Sequence, residues 1–243
     1  MNEASLHEQN CLITLTYSDA HLPPDGVQKR DLQLFFKRLR KDHKVRFYAC
    51  GEYGENFGRP HYHALLFGHD FQDKRPIEAS PSGSPQWSSA KLDTYWQNKG
   101  RTALGAVTFE SAAYVARYCT KKITGKGAQD HYSRVDHDTG EIISINPEFG
   151  TMSRNPGIGN AWIKRFKSDV YPADEVIARG HPSAVPRYYD QVLEKEDPEA
   201  YEAVRKARLL RPPDHHNRTP ARLSVREVCT RARTTLTNRN LDS

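Results

Sequence analysis

The stretch Arg59-Pro60-His61-Tyr62-His63-Ala64-Leu65-Leu66-Phe67-Gly68 constrains the fold more than any other. Read as a strand, it sends successive side chains to opposite faces. His61, His63, Leu65 and Phe67 then share one face, and Tyr62, Ala64 and Leu66 share the other. The two imidazoles stand side by side, with Cα atoms about 7 Å apart. Their rings can converge on one ion, and neutral imidazole is the commonest metal-ligating side chain. Taken alone, the fragment is equally a chance pair of histidines on a solvated strand, so the surrounding chain has to decide.

Upstream, Cys11-Leu12-Ile13-Thr14-Leu15-Thr16-Tyr17 is apolar and β-branched and is closed by Pro23-Pro24-Asp25-Gly26, which predicts a buried strand. Leu32, Phe35, Phe36 and Leu39 then recur at helical spacing, with Lys29, Arg30, Lys37, Arg38, Arg40 and Lys41 on the other faces. That pattern predicts an amphipathic helix lying on a sheet. Its basic face suits either plain solvation or contact with a nucleic acid backbone. Val45 to Glu52 alternates as a second strand, and the glycines from Gly51 to Gly58 predict a hairpin connection rather than a nucleotide cradle. The His-x-His strand therefore returns antiparallel, placing Glu52 across from His61 and His63. Two imidazoles and a carboxylate form a plausible site for Mg²⁺ or Mn²⁺.

Residues 70–100 carry Pro81-Ser82-Gly83-Ser84-Pro85 and are expected to form a loop or insertion without chemistry of its own. Gly105-Ala106-Val107-Thr108-Phe109 is expected as a fourth strand, followed by a helix from Glu110 to about Ile123. Ala112, Val115, Ala116, Cys119 and Ile123 form its expected apolar stripe. Tyr114, Tyr118 and Lys121 share another face, with Lys122 beside them. The two tyrosines are one turn apart, about 6 Å along the axis, and can address one pocket in turn; half-buried packing is the alternative. Tyr132 to Asn146 reads as a hairpin around Asp138-Thr139-Gly140 that supplies a sheet edge. Arg154-Asn155-Pro156-Gly157-Ile158-Gly159 precedes a short helix, where backbone amides and Arg154 suit a phosphate or form a structural turn. Glu194–Leu210 and 221–236 read as two helices in a tail rich in arginine, including Arg222, Arg226, Arg231 and Arg233. This tail is either a DNA arm or a solvated appendage.

A formal charge of +6 favours a polyanionic partner, nucleic acid ahead of membrane, because no basic amphipathic anchor accompanies it. Four dispersed cysteines argue against a zinc knuckle and for a reducing compartment. No apolar run reaches the roughly 20 residues that span a bilayer, and the first residues lack a signal-peptide pattern. A soluble protein in the cytoplasm of a bacterial host is expected.

Three pieces together resemble the ordered motifs of HUH endonucleases: Thr14-Leu15-Thr16-Tyr17; Cys50-Gly51-Glu52-Tyr53-Gly54 paired with Arg59-Pro60-His61-Tyr62-His63; and Tyr114-Val115-Ala116-Arg117-Tyr118-Cys119-Thr120-Lys121-Lys122. The pattern is most similar to replication initiators of gokushovirus-type microviruses and covers most of the chain to about residue 170. The residues themselves support an α+β domain. The resemblance implies an antiparallel sheet of about five strands with packed helices, ferredoxin-like or RRM-like, followed by a helical basic tail. It implies an HUH domain over 1–170 and an extension over 171–243. It further implies metal held by His61, His63 and Glu52, nucleophiles Tyr114 and Tyr118, and assistance from Lys121 or Lys122. Single-stranded origin DNA is the implied substrate, contacted by Arg59, Arg117, Arg154 and the tail arginines, with host replication helicase and polymerase as partners. The chain has no Gly-x-x-x-x-Gly-Lys-Ser/Thr, so the helicase domain of some related initiators is not expected. A transposase or relaxase of the same superfamily, or a non-catalytic single-strand-binding module, are the other readings.

Overall fold

The computed structural model describes residues 1–54, 58–80, 83–118, 122–135, 140–211 and 215–236. They fall into two compact units, Met1–Ile158 and Gly159–Arg239. In the first unit, the elements run β1 (Asn10–Thr16), α1 (Lys29–Asp42), β2 (Arg46–Tyr53), β3 (Pro60–Phe67), β4 (Arg75–Ile77), β5 (Gln86–Ser88) and α2 (Ala90–Trp96). They continue with β6 (Thr102–Gly105), α3 (Phe109–Tyr118), α4 (Ala128–His131), β7 (Ser133–Val135), β8 (Ile142–Ser144) and β9 (Phe149–Met152).

Seven strands form one antiparallel sheet in the order β4-β5-β6-β1-β3-β2-β9. β3 lies inside it, and all eight of its residues are buried. A strand covered on both faces tolerates a nearly continuous apolar run, which is what Ala64-Leu65-Leu66-Phe67 supplies. β1 instead alternates: Cys11, Ile13 and Leu15 are fully buried, while Leu12, Thr14 and Thr16 are half-buried on the opposite face.

The helices explain the difference. α1 buries Leu32, Phe35, Phe36 and Leu39, as their spacing predicts, against Ile13, Leu15, Tyr62, Ala64 and Leu66. Phe36 stacks on Phe47 with ring centroids 3.7 Å apart. α3 covers the other face with Tyr114 and Val115 against Cys50, Leu65 and Phe67. The sheet therefore has a thick core on the α1 side and a thinner one on the α3 side, where the histidines point.

Several expectations need correcting. The sheet has seven strands rather than about five, because residues 70–100, expected as a loop, contain β4, β5 and α2. Three-residue strands are too short to display a period of two. The strand expected over Gly105–Phe109 is Thr102–Gly105. Thr108 and Ser111 end it by capping α3: Ser111 Oγ accepts from Thr108 N at 2.9 Å, and Thr108 Oγ1 accepts from Ser111 N at 3.2 Å. The hairpin between Tyr132 and Asn146 pairs β7 with β8 as a separate two-stranded sheet; the main sheet takes its edge from β9. Asp138 and Thr139 of its turn lie outside the described residues. In α3, Val115 is buried but Ala116 is exposed, Ile123 lies beyond the described helix at 40% exposure, and Cys119 is outside the described residues. Tyr114, expected off the apolar stripe, is buried in its place.

The second unit contains α5 (Asn160–Val170), β10 (Glu175–Ala178), β11 (His181–Ala184), α6 (Arg187–Glu196), α7 (Pro198–Leu210) and α8 (Pro220–Leu236). The helix expected over Glu194–Leu210 breaks into α6 and α7. Asp197 caps α7 by accepting from Ala200 N at 3.0 Å, and Pro198 opens it. α5 and α6 meet through Ile163, Val170, Tyr189 and Val192. Arg208 ties α7 to this core by donating to Asp174 and Asp190, both at 2.7 Å. α8 is exposed along its described surface. No described helix is long and apolar enough to cross a membrane.

Candidate metal and nucleophile site

Register builds the site. β2 and β3 pair so that Glu52 stands opposite His61 and Cys50 opposite His63, as the hairpin reading expects. Gly51, between them, faces the other way, and a Cβ there would lie 2.7 Å from the Phe149 ring. The absence of a side chain lets β9 and Tyr62 close against β2 while Glu52 stays on the histidine face.

Glu52, His61 and His63 are 1%, 6% and 1% exposed. One donor atom from each lies within 4.8 Å of the others. Glu52 Oε1 is 3.2 Å from His61 Nε2 and 3.1 Å from His63 Nε2, so both rings present the same nitrogen to one oxygen. The opposite ring edges are held from outside. His61 Nδ1 lies 3.0 Å from the Arg59 carbonyl oxygen, and His63 Nδ1 lies 3.0 Å from Thr14 Oγ1.

These contacts have an electrostatic consequence. A carbonyl oxygen only accepts, so His61 Nδ1 carries the hydrogen. In a neutral ring, Nε2 is then a bare lone pair facing a carboxylate oxygen at 3.2 Å. Two acceptors that close, in a buried and weakly screening setting, require positive charge between them. A metal ion fits: two imidazole nitrogens and a carboxylate oxygen are a common donor set, and outer hydrogen bonds that fix the ring orientation are the usual support for ligating histidines. The Glu-His-His group can hold a metal ion.

Tyr114 reaches the same point from α3. Its hydroxyl lies 3.5 Å from His63 Nε2, the rings meet edge to face at 5.1 Å, and the residue is 1% exposed. Tyr118 ends α3, and its side chain is outside the described residues, as is Lys121. Lys122 is described and exposed.

The other basic candidates are dispersed. Arg59 donates to the Tyr17 carbonyl at 2.6 Å and to Asp19, fastening β3 to the end of β1. Arg117 is exposed on α3. Arg154 is exposed in a turn whose backbone bridges to Gly157. Arg46 donates to the Pro156 and Gly157 carbonyls at 2.9 and 2.8 Å, which supplies the structural role for that turn. Arg222, Arg226 and Arg231 are exposed on α8, the last paired with Glu227; the Arg233 side chain lies outside the described residues.

Two contributors to the site escape a search for ligands and nucleophiles. Thr14 orients His63 from the neighbouring strand; its cross-strand partner is His63 itself, a signal legible once β1 and β3 are paired. Tyr62, between the two histidines, points to the opposite face, where its hydroxyl accepts from Gln28 N at 2.7 Å and stands 2.7 Å from the Tyr17 hydroxyl. It fixes the histidine strand to the start of α1.

Residues 10–123, which contain the triad, both tyrosines and both lysines, match the family model of the replication-associated protein ORF2 type. The chain is 30% identical over 211 residues to Replication-associated protein VP4 of Bdellovibrio phage phiMH2K, covering 82% of this chain and 62% of that protein. It is 31% identical over 204 residues to Replication-associated protein ORF2 of Spiroplasma virus 4, covering 78% and 59%. It is 29% identical over 226 residues to Replication-associated protein ORF4 of Chlamydia phage 1, covering 86% and 53%. The chain thus spans about three-fifths of the length of the first two relatives. No solved structure matches it significantly. Through residues 10–123, which build the sheet and its Glu-His-His group, the chain belongs to the replication-associated protein ORF2 family.

Proposed function

We propose that the chain is a replication initiator that nicks single-stranded DNA at a phage origin and rejoins strands during rolling-circle replication. The observation that carries this reading is the Tyr114 hydroxyl beside His63 at a buried Glu-His-His group. The replication-associated names of its phage relatives support the biological setting.

A phenol with a pKa of about 10 is a weak nucleophile at neutral pH. A divalent cation such as Mg²⁺ or Mn²⁺, held by Glu52, His61 and His63, would supply Lewis-acid stabilisation to a scissile phosphate. Tyr114 or Tyr118 attacks phosphorus: the tyrosyl O–P bond forms as the P–O3′ bond breaks. The leaving oxygen takes a proton and becomes a 3′-hydroxyl, while the 5′ end stays on the protein as a phosphotyrosine. Lys121 or Lys122 supplies positive charge or the proton. One phosphodiester replaces another, so the reverse attack by a 3′-hydroxyl reseals the strand without ATP. The freed 3′-hydroxyl primes synthesis by host polymerase and helicase, and the second tyrosine cuts the regenerated origin while the first holds the 5′ end. Arg59, Arg117, Arg154 and the arginines of α8 are proposed contacts to the DNA backbone.

Incubation with Mn²⁺ and a single-stranded origin oligonucleotide tests the reading. A covalent protein–DNA adduct and a free 3′-hydroxyl fragment are expected. The His61→Ala/His63→Ala double variant should lose both while keeping most salt-sensitive binding. A module that only binds single strands yields no adduct under any condition. An undiminished adduct in the double variant would remove the metal ligands from the chemistry.

A further inference from the structure

The face of the sheet away from the triad carries a second feature. Between α1 and the edge strand β9 lies a groove of about 400 Å³, with Lys29, Lys37, Arg40 and Lys41 around it and Phe36 and Phe47 beneath. No acidic side chain lines it. Lys29, Lys37 and Lys41 are exposed and make no ion pair among the described residues. They occupy one helix face, at steps of eight and four residues, so their charges rise along α1 by about 6 Å for every four residues.

Arg40 differs from the lysines in being fixed. It donates to the Val45 carbonyl and to Ser153 Oγ, at 3.2 and 3.1 Å, and its guanidinium lies 4.9 Å from the Phe47 ring centroid. The groove thus combines a row of mobile unpaired charges with a flat cation held over an apolar floor. A merely solvated helix face explains the lysines, but not a concave site stripped of carboxylates with a planar guanidinium built into its wall. Backbone phosphates suit the lysine row, and the guanidinium plane is a surface on which a base stacks. A groove of this volume takes a few nucleotides of one strand and is too small for a duplex.

We infer that this groove is a second single-stranded DNA site, one that holds a part of the strand that is not being cut. It lies behind the sheet from the triad, so a strand running from one site to the other passes around the edge formed by β9. The inference rests on single-stranded DNA being the substrate proposed above, but not on which residue performs the chemistry.

The test compares Lys29→Gln/Lys37→Gln/Lys41→Gln with a control, Arg75→Gln/Lys91→Gln/Arg101→Gln, which removes the same charge on and near the far edge of the sheet. Binding of a long oligo-dT is measured against salt for the full chain and both triples. Each neutralised phosphate contributes about −0.7 to the log–log slope for single strands. Loss of three contacts should shallow the slope by about 2 and weaken binding about a hundredfold at 0.1 M salt. The control should keep the original slope. Equal loss in both triples, no loss in the groove triple, or a loss confined to duplex DNA or to RNA would each overturn the inference. Adduct formation on a short origin oligonucleotide is scored separately. Its absence from the unmodified chain would defeat the nicking reading, while the salt slope alone decides the groove.

Discussion

The hydroxyl of Tyr114 lies 3.5 Å from Nε2 of His63, the nitrogen that also faces Glu52. A helix and a strand about fifty residues apart in the chain thus deliver a phenol and a metal-ligand group to one buried point. Residues on both elements set that meeting, and each can be changed separately.

Thr14 is the simplest to isolate, because its Oγ1 touches the far nitrogen of His63, on the ring edge turned away from Glu52. Thr14→Val should weaken Mn²⁺ binding by about 10- to 100-fold, the usual cost of losing an outer hydrogen bond to a ligating histidine. Thr14→Ser should restore most of the affinity. Titration of Mn²⁺ by electron paramagnetic resonance measures both. Equal affinity in all three proteins would show that Thr14 does not orient His63.

Tyr62 acts from behind. Tyr62→Phe keeps the ring in the core but removes the oxygen that accepts from Gln28 N. Leaving that donor without its partner should cost about 1–3 kcal/mol in urea denaturation. The nicking chemistry should survive at low temperature, since the hydroxyl lies on the face opposite the histidines.

Beyond the far end of β3, burial and the neighbouring His43 lower the pKa of His69 to about 4 from an ordinary 6.5, and the two rings stack with centroids 4.0 Å apart. The unfolded chain therefore binds this proton more readily than the folded one. Stability should be intact above about pH 6.5 and fall as the pH drops towards 4. Thermal melts at pH 7 and pH 5 measure the fall, and His69→Gln should reduce the difference between them. A melting temperature unchanged between those pH values in the unmodified chain would refute the assignment.

Much of this architecture was legible from patterning, and the failures share a physical cause. Alternation identifies β1, β2 and β3, and with them the opposition of Glu52 to His61, because long strands repeat their period enough times to be read. Leu32, Phe35, Phe36 and Leu39 identify α1 for the same reason. β4 and β5 have three residues each and no readable period. The α3 wheel mislocated Tyr114: with only ten residues and a mixed surface, the helix is oriented by its partner face rather than by its own apolar count. A tyrosine pointing at a histidine is polar by chemistry and buried by position, and composition carries no sign of that. The roles of Thr14 and Tyr62 required register, which becomes available only once strands are paired.

The central claim is that Tyr114 and the Glu-His-His group form one nicking site. Trypsin separates the two candidate nucleophiles, since cleavage after Arg101, Arg117 and Lys121 yields a peptide 102–117 holding Tyr114 and a peptide 118–121 holding Tyr118. Mass mapping of the DNA-linked peptide after a single round of cutting with Mn²⁺ is the most direct measurement. Nucleotide attached to peptide 102–117, and lost in Tyr114→Phe, is the expected result. Attachment only to 118–121 with Tyr114 intact, or to any peptide outside 102–121, would contradict it.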